Sequence, residues 1–194
     1  MNEHEAVREL LRKEKIKARN SLTPEQRSER SAAICRALLA SEEYRRAKTV
    51  MLYKAVRGEV RLDLLEAENA AAPEKKRFAY PLCVGDGKML AVAPGSTDVG
   101  GGAWRRGAFG IWEPDPARGA LVPPEALDLV VCPCTAFDAD GRRLGMGGGY
   151  YDRFLPLCVH AHILAVAFEA QRAECVPAEA WDVPMRRVIT EESG

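Results

Sequence analysis

The chain carries no net charge, because 28 Lys and Arg residues are matched by 28 Asp and Glu residues across 194 positions. Nothing global draws it to nucleic acid or to an anionic membrane, so any basic cluster must serve a local anion. No apolar run approaches the roughly twenty residues of a membrane span. The opening M-N-E-H-E-A also lacks the basic-then-apolar layout of a signal peptide. A cytoplasmic protein is expected, with neither nucleic acid nor membrane as a partner. There is no internal repeat.

Disulfide density is missing as well. The cysteines at 35, 83, 132, 134, 158 and 175 lie mostly in apolar surroundings such as V-V-C-P-C and L-P-L-C-V, and they read as reduced thiols. Cys132 and Cys134 form a C-x-C with no second close pair to complete a metal site. His160 and His162 are spaced to share one face of a strand, but no acidic or cysteine partner is evident, so a rim or exposed edge is the better reading.

What is present is enough apolar material for a core. With 47% hydrophobic and 29% charged residues, the composition fits one α/β domain spanning residues 1–194. Residues 3–20 are rich in strong helix formers, and Val7, Leu10, Leu11 and Ile16 mark an apolar stripe. Thr23-Pro24-Glu25-Gln26 supplies an N-cap, a proline for the first helical position and a capping-box Gln, which predicts a second helix over 24–39. A short helical turn fits 41–46. Strands are predicted over 48–54, 77–82, 88–92, 127–133, 162–168 and 188–190, with a helix over 60–72. Residues 94–107 read as a long loop, followed by a Pro-rich connection to Pro124.

The densest chemical signal lies at 141–155, G-R-R-L-G-M-G-G-G-Y-Y-D-R-F-L. Glycines permit positive φ and bring backbone N–H groups close to a ligand, and a helix predicted over 149–158 would aim its positive end at the same place. That suits phosphate. The run is neither the Walker pattern, which closes on Lys-Ser/Thr, nor the dinucleotide G-x-G-x-x-G with an acid about twenty residues on. Strand, glycine loop and helix in this order put the loop at the carboxyl end of a parallel strand, where open α/β sheets bind ligands.

The segment from Gly145 to Arg153, preceded by Phe137-Asp138 and Arg143-Leu144, closely resembles the signature of the 5-formyltetrahydrofolate cyclo-ligase family, also called 5,10-methenyltetrahydrofolate synthetases. In family order stand the N-terminal basic helix, the segment from Tyr53 ending in Gly58-Glu59-Val60, and the run Phe109-Gly110-Ile111-Trp112-Glu113-Pro114. Val176-Pro177 then leads to Asp182 and to Ile189-Thr190-Glu191. The resemblance covers nearly the whole chain. It implies a single three-layer α/β domain with a mostly parallel central sheet flanked by helices, and a monomer that binds ATP/ADP and a reduced folate. The implied reaction needs ATP and magnesium, with ATP phosphorylating the formyl oxygen of 5-formyltetrahydrofolate. Nitrogen 10 then attacks the activated carbon and phosphate leaves.

The resemblance also implies roles for individual residues. Arg8 and Arg12, one helical turn apart, match a Lys/Arg pair that contacts ATP phosphates. Arg143, Leu144, Gly145, Met146, Gly147, Gly148, Gly149, Tyr150 and Tyr151 wrap the nucleotide, and Arg143, Tyr150 and Asp152 are catalytic. Glu59 accepts paired hydrogen bonds from the pterin, with Lys54 and Met146 to Tyr150 around the same pocket and Tyr80 nearby. Asp152 and Asp182 are the implied magnesium ligands, although Arg186 stands where many relatives carry a further Asp. Phe109 and Trp112 are equally candidates for ring stacking and for core packing. Two rivals remain at this point: an isomerase or CoA-transferase-like enzyme that uses no ATP, and a non-catalytic folate or nucleotide sensor.

Overall fold

The computed structural model describes residues 3–107 and 110–193. It begins with α1 (Glu3–Asn20), α2 (Pro24–Ala40) and α3 (Glu42–Arg46). The start of α2 is chemically fixed. The Thr23 hydroxyl accepts from the Gln26 N–H at 3.2 Å, and the Gln26 side chain accepts from the Thr23 N–H at 2.9 Å. Ser41 closes α2 and caps α3, its hydroxyl accepting from the Tyr44 N–H at 3.2 Å.

The sheet elements follow as β1 (Thr49–Met51), β2 (Arg77–Cys83), β3 (Met89–Pro94), β6 (Gly119–Val122), β7 (Leu129–Pro133), β10 (His162–Val166) and β11 (Arg187–Ile189). They form one seven-stranded sheet in the order β11-β10-β7-β1-β2-β3-β6. The first five positions in that order are parallel neighbours, while β3 and β6 extend one edge antiparallel. Strand alternation divides the core in two. Val50, Leu52, Val131 and Leu164 face Ile34, Leu38 and Leu65, the last on α4 (Asp63–Ala71), whereas Met51, Val130 and Ala165 face Phe154 and Leu155. The result is the expected three-layer, mostly parallel α/β architecture. Asp128 ties the start of β1 to the start of β7, its carboxylate accepting the Lys48 and Thr49 N–H groups at 2.8 and 2.7 Å.

Several expectations need correction. The strand predicted over 48–54 keeps three ladder residues, because after Leu52 the chain leaves the sheet for a turn with positive φ at Arg57 (50°) and Gly58 (80°). The segment 94–107 is not all loop. It contains β4 (Trp104–Arg106), which pairs antiparallel with β5 (Trp112–Pro114), and the Pro-rich connection includes edge strand β6. The glycine loop does not follow β7 directly, since the hairpin of β8 (Ala136–Phe137) and β9 (Arg143–Leu144) intervenes. The helix predicted over 149–158 is α5 (Tyr150–Phe154), continued by a 3-10 turn at Leu155–Leu157. Pro156 lacks an N–H and cannot sit inside a longer α-helix. Five residues make a weak dipole, so the loop's own N–H groups are its anion-binding feature.

The apolar stripe of α1 is also inverted. Val7 and Leu10 are 46% and 66% exposed, while Arg8, Arg12 and Arg19 occupy the buried face. Of the expected stripe, Leu11 packs inward, against Ala136, Leu144 and Val176.

Candidate active site

A cavity of about 610 Å³ opens at the carboxyl ends of β1 and β7, beside β2 and under the inner face of α1. Its first wall is cationic. Arg8 and Arg12, each 7% exposed, both line it. Arg8 donates to the Asp182 carboxylate at 2.6 Å and to the Pro177 carbonyl at 2.7 Å. Burial opposes the charge on Asp182, but the bond from Arg8 and the Glu179 N–H outweigh it and hold the carboxyl below its ordinary range. Arg12 donates from Nε to the Gly145 carbonyl at 3.1 Å and from Nη1 to Glu5 and Glu9 at 2.9 and 3.2 Å.

The glycine loop stands opposite. Gly147 (φ 93°) and Gly149 (φ 62°) hold left-handed conformations, and a Cβ on Gly148 would come within 2.8 Å of the Tyr150 ring. Arg153 fastens the loop to the β2–β3 turn, donating to the carbonyls of Gly148 and, at 2.9 Å, Gly87. Among the described residues, no backbone N–H from 145 to 149 donates to a protein acceptor. These are open donors on a rigid frame at the cavity edge. Behind them lies Arg143, buried and bonded through Nη2 to Asp152 Oδ1 at 2.6 Å, with its own Nε unpartnered. Its guanidinium sits 5.7 Å over the Tyr151 ring, whose buried hydroxyl also lacks a partner among the described residues.

The other end of the cavity is built by the turn after β1. The Tyr53 hydroxyl donates to the Val60 carbonyl at 2.8 Å, and the turn presents Glu59, whose Oε2 accepts the Val56 N–H at 3.0 Å. Burial pushes the Glu59 carboxyl above its ordinary range, against the opposing pull of that N–H and of Arg19 and Arg57. Val56, Pro81, Met89, Ile111 and Trp112 add an apolar wall beside it. One cavity thus has an end rich in arginines and free N–H groups and an apolar end with two carboxylates, Glu59 and Glu113, the latter held by the Cys83 N–H at 3.2 Å.

The whole-chain pattern decides the lineage: the model of the 5-formyltetrahydrofolate cyclo-ligase family matches residues 4–191. The chain belongs to this family. A curated 5-formyltetrahydrofolate cyclo-ligase of Haemophilus influenzae is 31% identical over 190 residues, 94% of this chain and 96% of that one. One from Escherichia coli K12 is 30% identical over 176 residues, 89% and 93% of the two chains. The solved 5,10-methenyltetrahydrofolate synthetase of Aquifex aeolicus superposes with a TM-score of 0.81 at 33% identity, covering 96% of this chain and 90% of its own. A synthetase structure from Mycoplasma pneumoniae, 23% identical, shares the fold at a TM-score of 0.76 over 95% and 99% of the two chains. Membership makes the chain a ligase of the cyclo-ligase class that converts 5-formyltetrahydrofolate to 5,10-methenyltetrahydrofolate. It sets aside the isomerase and CoA-transferase readings.

Against this cyclo-ligase frame, Arg8, Arg12, Arg143, Gly145, Met146, Gly147, Gly148, Gly149, Tyr150, Tyr151, Asp152, Asp182, Lys54 and Glu59 all line the one cavity. Leu144 does not. It is fully buried against Ala136 and Val176, and its carbonyl accepts the Thr135 N–H at 2.7 Å. The Lys54 ammonium is already engaged by both Glu66 oxygens at 2.7 Å and by the Thr97 carbonyl at 3.0 Å, so its charge is neutralised. Tyr80 is a core residue whose hydroxyl donates to Glu66 at 2.6 Å. Trp112 both lines the cavity and packs on the core, and Phe109 lies outside the described residues. Arg186 is exposed near His162, 3.4 Å from its Nδ1.

Sequence reasoning passed over Thr135, Glu179 and Trp181, which also line the cavity. Trp181 is 68% exposed at the rim, a large apolar side chain left in solvent. Its neighbour Asp182 was the only available signal. Among the described residues, no group of three or more His, Cys, Asp and Glu could hold a metal. All six cysteines are free, and burial pushes the Cys132 and Cys134 thiols up to about 12. No helix among the described residues is long and apolar enough to cross a membrane.

Proposed function

We propose that the chain, acting as a cytoplasmic monomer in a single domain, closes the folate ring by transferring the γ-phosphoryl group of ATP to the formyl oxygen of 5-formyltetrahydrofolate. Nitrogen 10 then attacks the activated carbon, forming a C–N bond. The C–O bond breaks, nitrogen 10 gives up its proton, and the formyl oxygen departs in inorganic phosphate, leaving 5,10-methenyltetrahydrofolate and ADP. An amide-like oxygen is a poor leaving group, which is why the phosphoryl group is needed.

One observation carries this reading: the open N–H groups of 145–149 and the arginines at 8, 12 and 143 share a cavity with the Glu59 carboxylate, set beside an apolar wall. The first set neutralises phosphate, and the second suits a flat ring with paired donors. The protein's contribution is alignment and charge neutralisation. The loop N–H groups and Arg12 hold the phosphates, and the buried Arg143 offsets charge that builds during transfer. Tyr150 lines the same cavity beside the glycine loop, and Glu59 orients the pterin.

The donor set fits magnesium in part. Magnesium takes one or two carboxylates plus phosphate oxygens and water, and when bound it neutralises phosphate charge. Asp152 suits this, because its Oδ1 is held by Arg143 while Oδ2 has no protein partner among the described residues. Asp182 is bound through both oxygens to Arg8. That pair must part before Arg8 can reach phosphate and Asp182 a cation.

Mixing the protein with 5-formyltetrahydrofolate, magnesium and ATP should raise the absorbance of the methenyl product and release one ADP per turnover. Binding of both ligands with no product would support the sensor reading instead.

A further inference from the structure

We propose that Arg19 is a positioning residue for Glu59, acting through the 56–59 turn from the far end of α1; the inference rests on Glu59 as the folate carboxylate. Arg19 is 1% exposed, buried more deeply than Arg8 or Arg12 on the same helix face. Among the described residues it forms no ion pair. Its one hydrogen bond runs from Nη2 to the Arg57 carbonyl at 2.8 Å, and its Nε and Nη1 are buried without partners. Leaving guanidinium donors unsatisfied in the interior is destabilising, so a purely architectural tie could be made at lower cost by a smaller or neutral side chain.

The local geometry explains what the charge does. Arg57 and Gly58 both take positive φ, a conformation that costs the non-glycine Arg57 and needs outside support. Arg19 supplies that support at the Arg57 carbonyl. At Gly58, a Cβ would meet Asn20 Oδ1 at 3.0 Å and Arg19 Nε at 3.9 Å, so the end of α1 lies directly under the turn. The next residue is Glu59. The groups facing Arg19 are Glu59 and Arg57 on the turn, Tyr53 after β1, and Cys134 after β7. Burial keeps the tyrosine and the thiol neutral, which leaves Glu59 as the one acid facing Arg19. Burial disfavours charge on both partners, lowering the Arg19 pKa and raising that of Glu59, and each opposes the effect on the other. Arg19 therefore keeps Glu59 ionised at a pH where burial alone would begin to protonate it.

Both Arg19→Gln and Arg19→Lys test this, read by the pH dependence of kcat/KM for 5-formyltetrahydrofolate. In Arg19→Gln the folate KM should rise about tenfold with ATP KM changed less than about twofold, and the acid limb should move to higher pH. Arg19→Lys keeps the charge but loses the fork geometry, so its folate KM should rise while its acid limb stays near that of the parent. A folded Arg19→Gln with the parental folate KM and acid limb, and only a lower melting temperature, would reduce Arg19 to structure. If Arg19→Gln does not fold, a parental folate KM in Arg19→Lys overturns the proposal alone. Glu59→Gln separates the two layers of inference. If it raises the folate KM and the Arg19 variants do not, the Arg19 role fails; if Glu59→Gln also has no effect, the folate assignment of Glu59 fails.

Discussion

Glu59 is held under opposing demands. The folate-binding role proposed for it calls for an ionised carboxylate, whereas burial disfavours charge there and wins over the Val56 N–H and the two arginines. The sign follows directly. A carboxyl with a raised folded pKa destabilises the folded state as pH rises through that pKa, because ionisation costs more in the fold than in the unfolded chain. Glu59→Gln should thus raise the melting temperature of the ligand-free protein while raising the folate KM about 10- to 100-fold, with the ATP KM nearly unchanged. The parent should lose folate affinity on acidification at a pH above the usual carboxylate range, and the variant should lose that limb. Calorimetry and a pH series of initial rates measure both.

Asp152 is a second case at the residue scale. It holds Arg143 at 2.6 Å and lies beside the glycine loop, so Asp152→Asn removes a carboxylate and leaves a buried guanidinium less well paired. Turnover should fall about 10- to 100-fold through weaker magnesium–ATP, with folate affinity largely kept, and the melting temperature should drop. Titration of ATP and folate into the variant distinguishes this from a general collapse of the site, in which both affinities fall together.

Among the elements, α1 shows how much the sequence could and could not say. Its limits were legible from composition and from the Thr23 cap that follows, but its face was not. Periodicity put Val7 and Leu10 inward, yet they are exposed, because the arginines on the other face find acceptors in Asp182, Gly145 and Arg57 that lie far along the chain. A stripe of arginine reads as solvated when its partners are invisible. Leu10→Glu should therefore change stability by no more than about 0.5 kcal/mol and leave activity intact. Arg12→Ala should raise the ATP KM about tenfold and loosen the loop at Gly145. Urea melts and initial rates of the two variants check the inversion. The two-residue strands β8 and β9 were hidden for another reason: a ladder that short has no period to detect.

At the scale of the whole molecule, the parallel sheet was legible because the runs at 50–52, 129–132 and 164–166 are apolar and buried on both faces. The cavity was legible only through the glycine signature. Its walls come from the β1 turn, the glycine loop, the Trp181 rim and the inner face of α1, and long-range folding alone brings these together. The claim that unites them is that one cavity brings the γ-phosphate of ATP to the formyl oxygen. The most direct measurement is to start with 5-formyltetrahydrofolate labelled with heavy oxygen in the formyl group and analyse the inorganic phosphate by mass spectrometry. Direct phosphorylation of that oxygen predicts one heavy oxygen in each phosphate released. Unlabelled phosphate, with the label recovered in water, would contradict it.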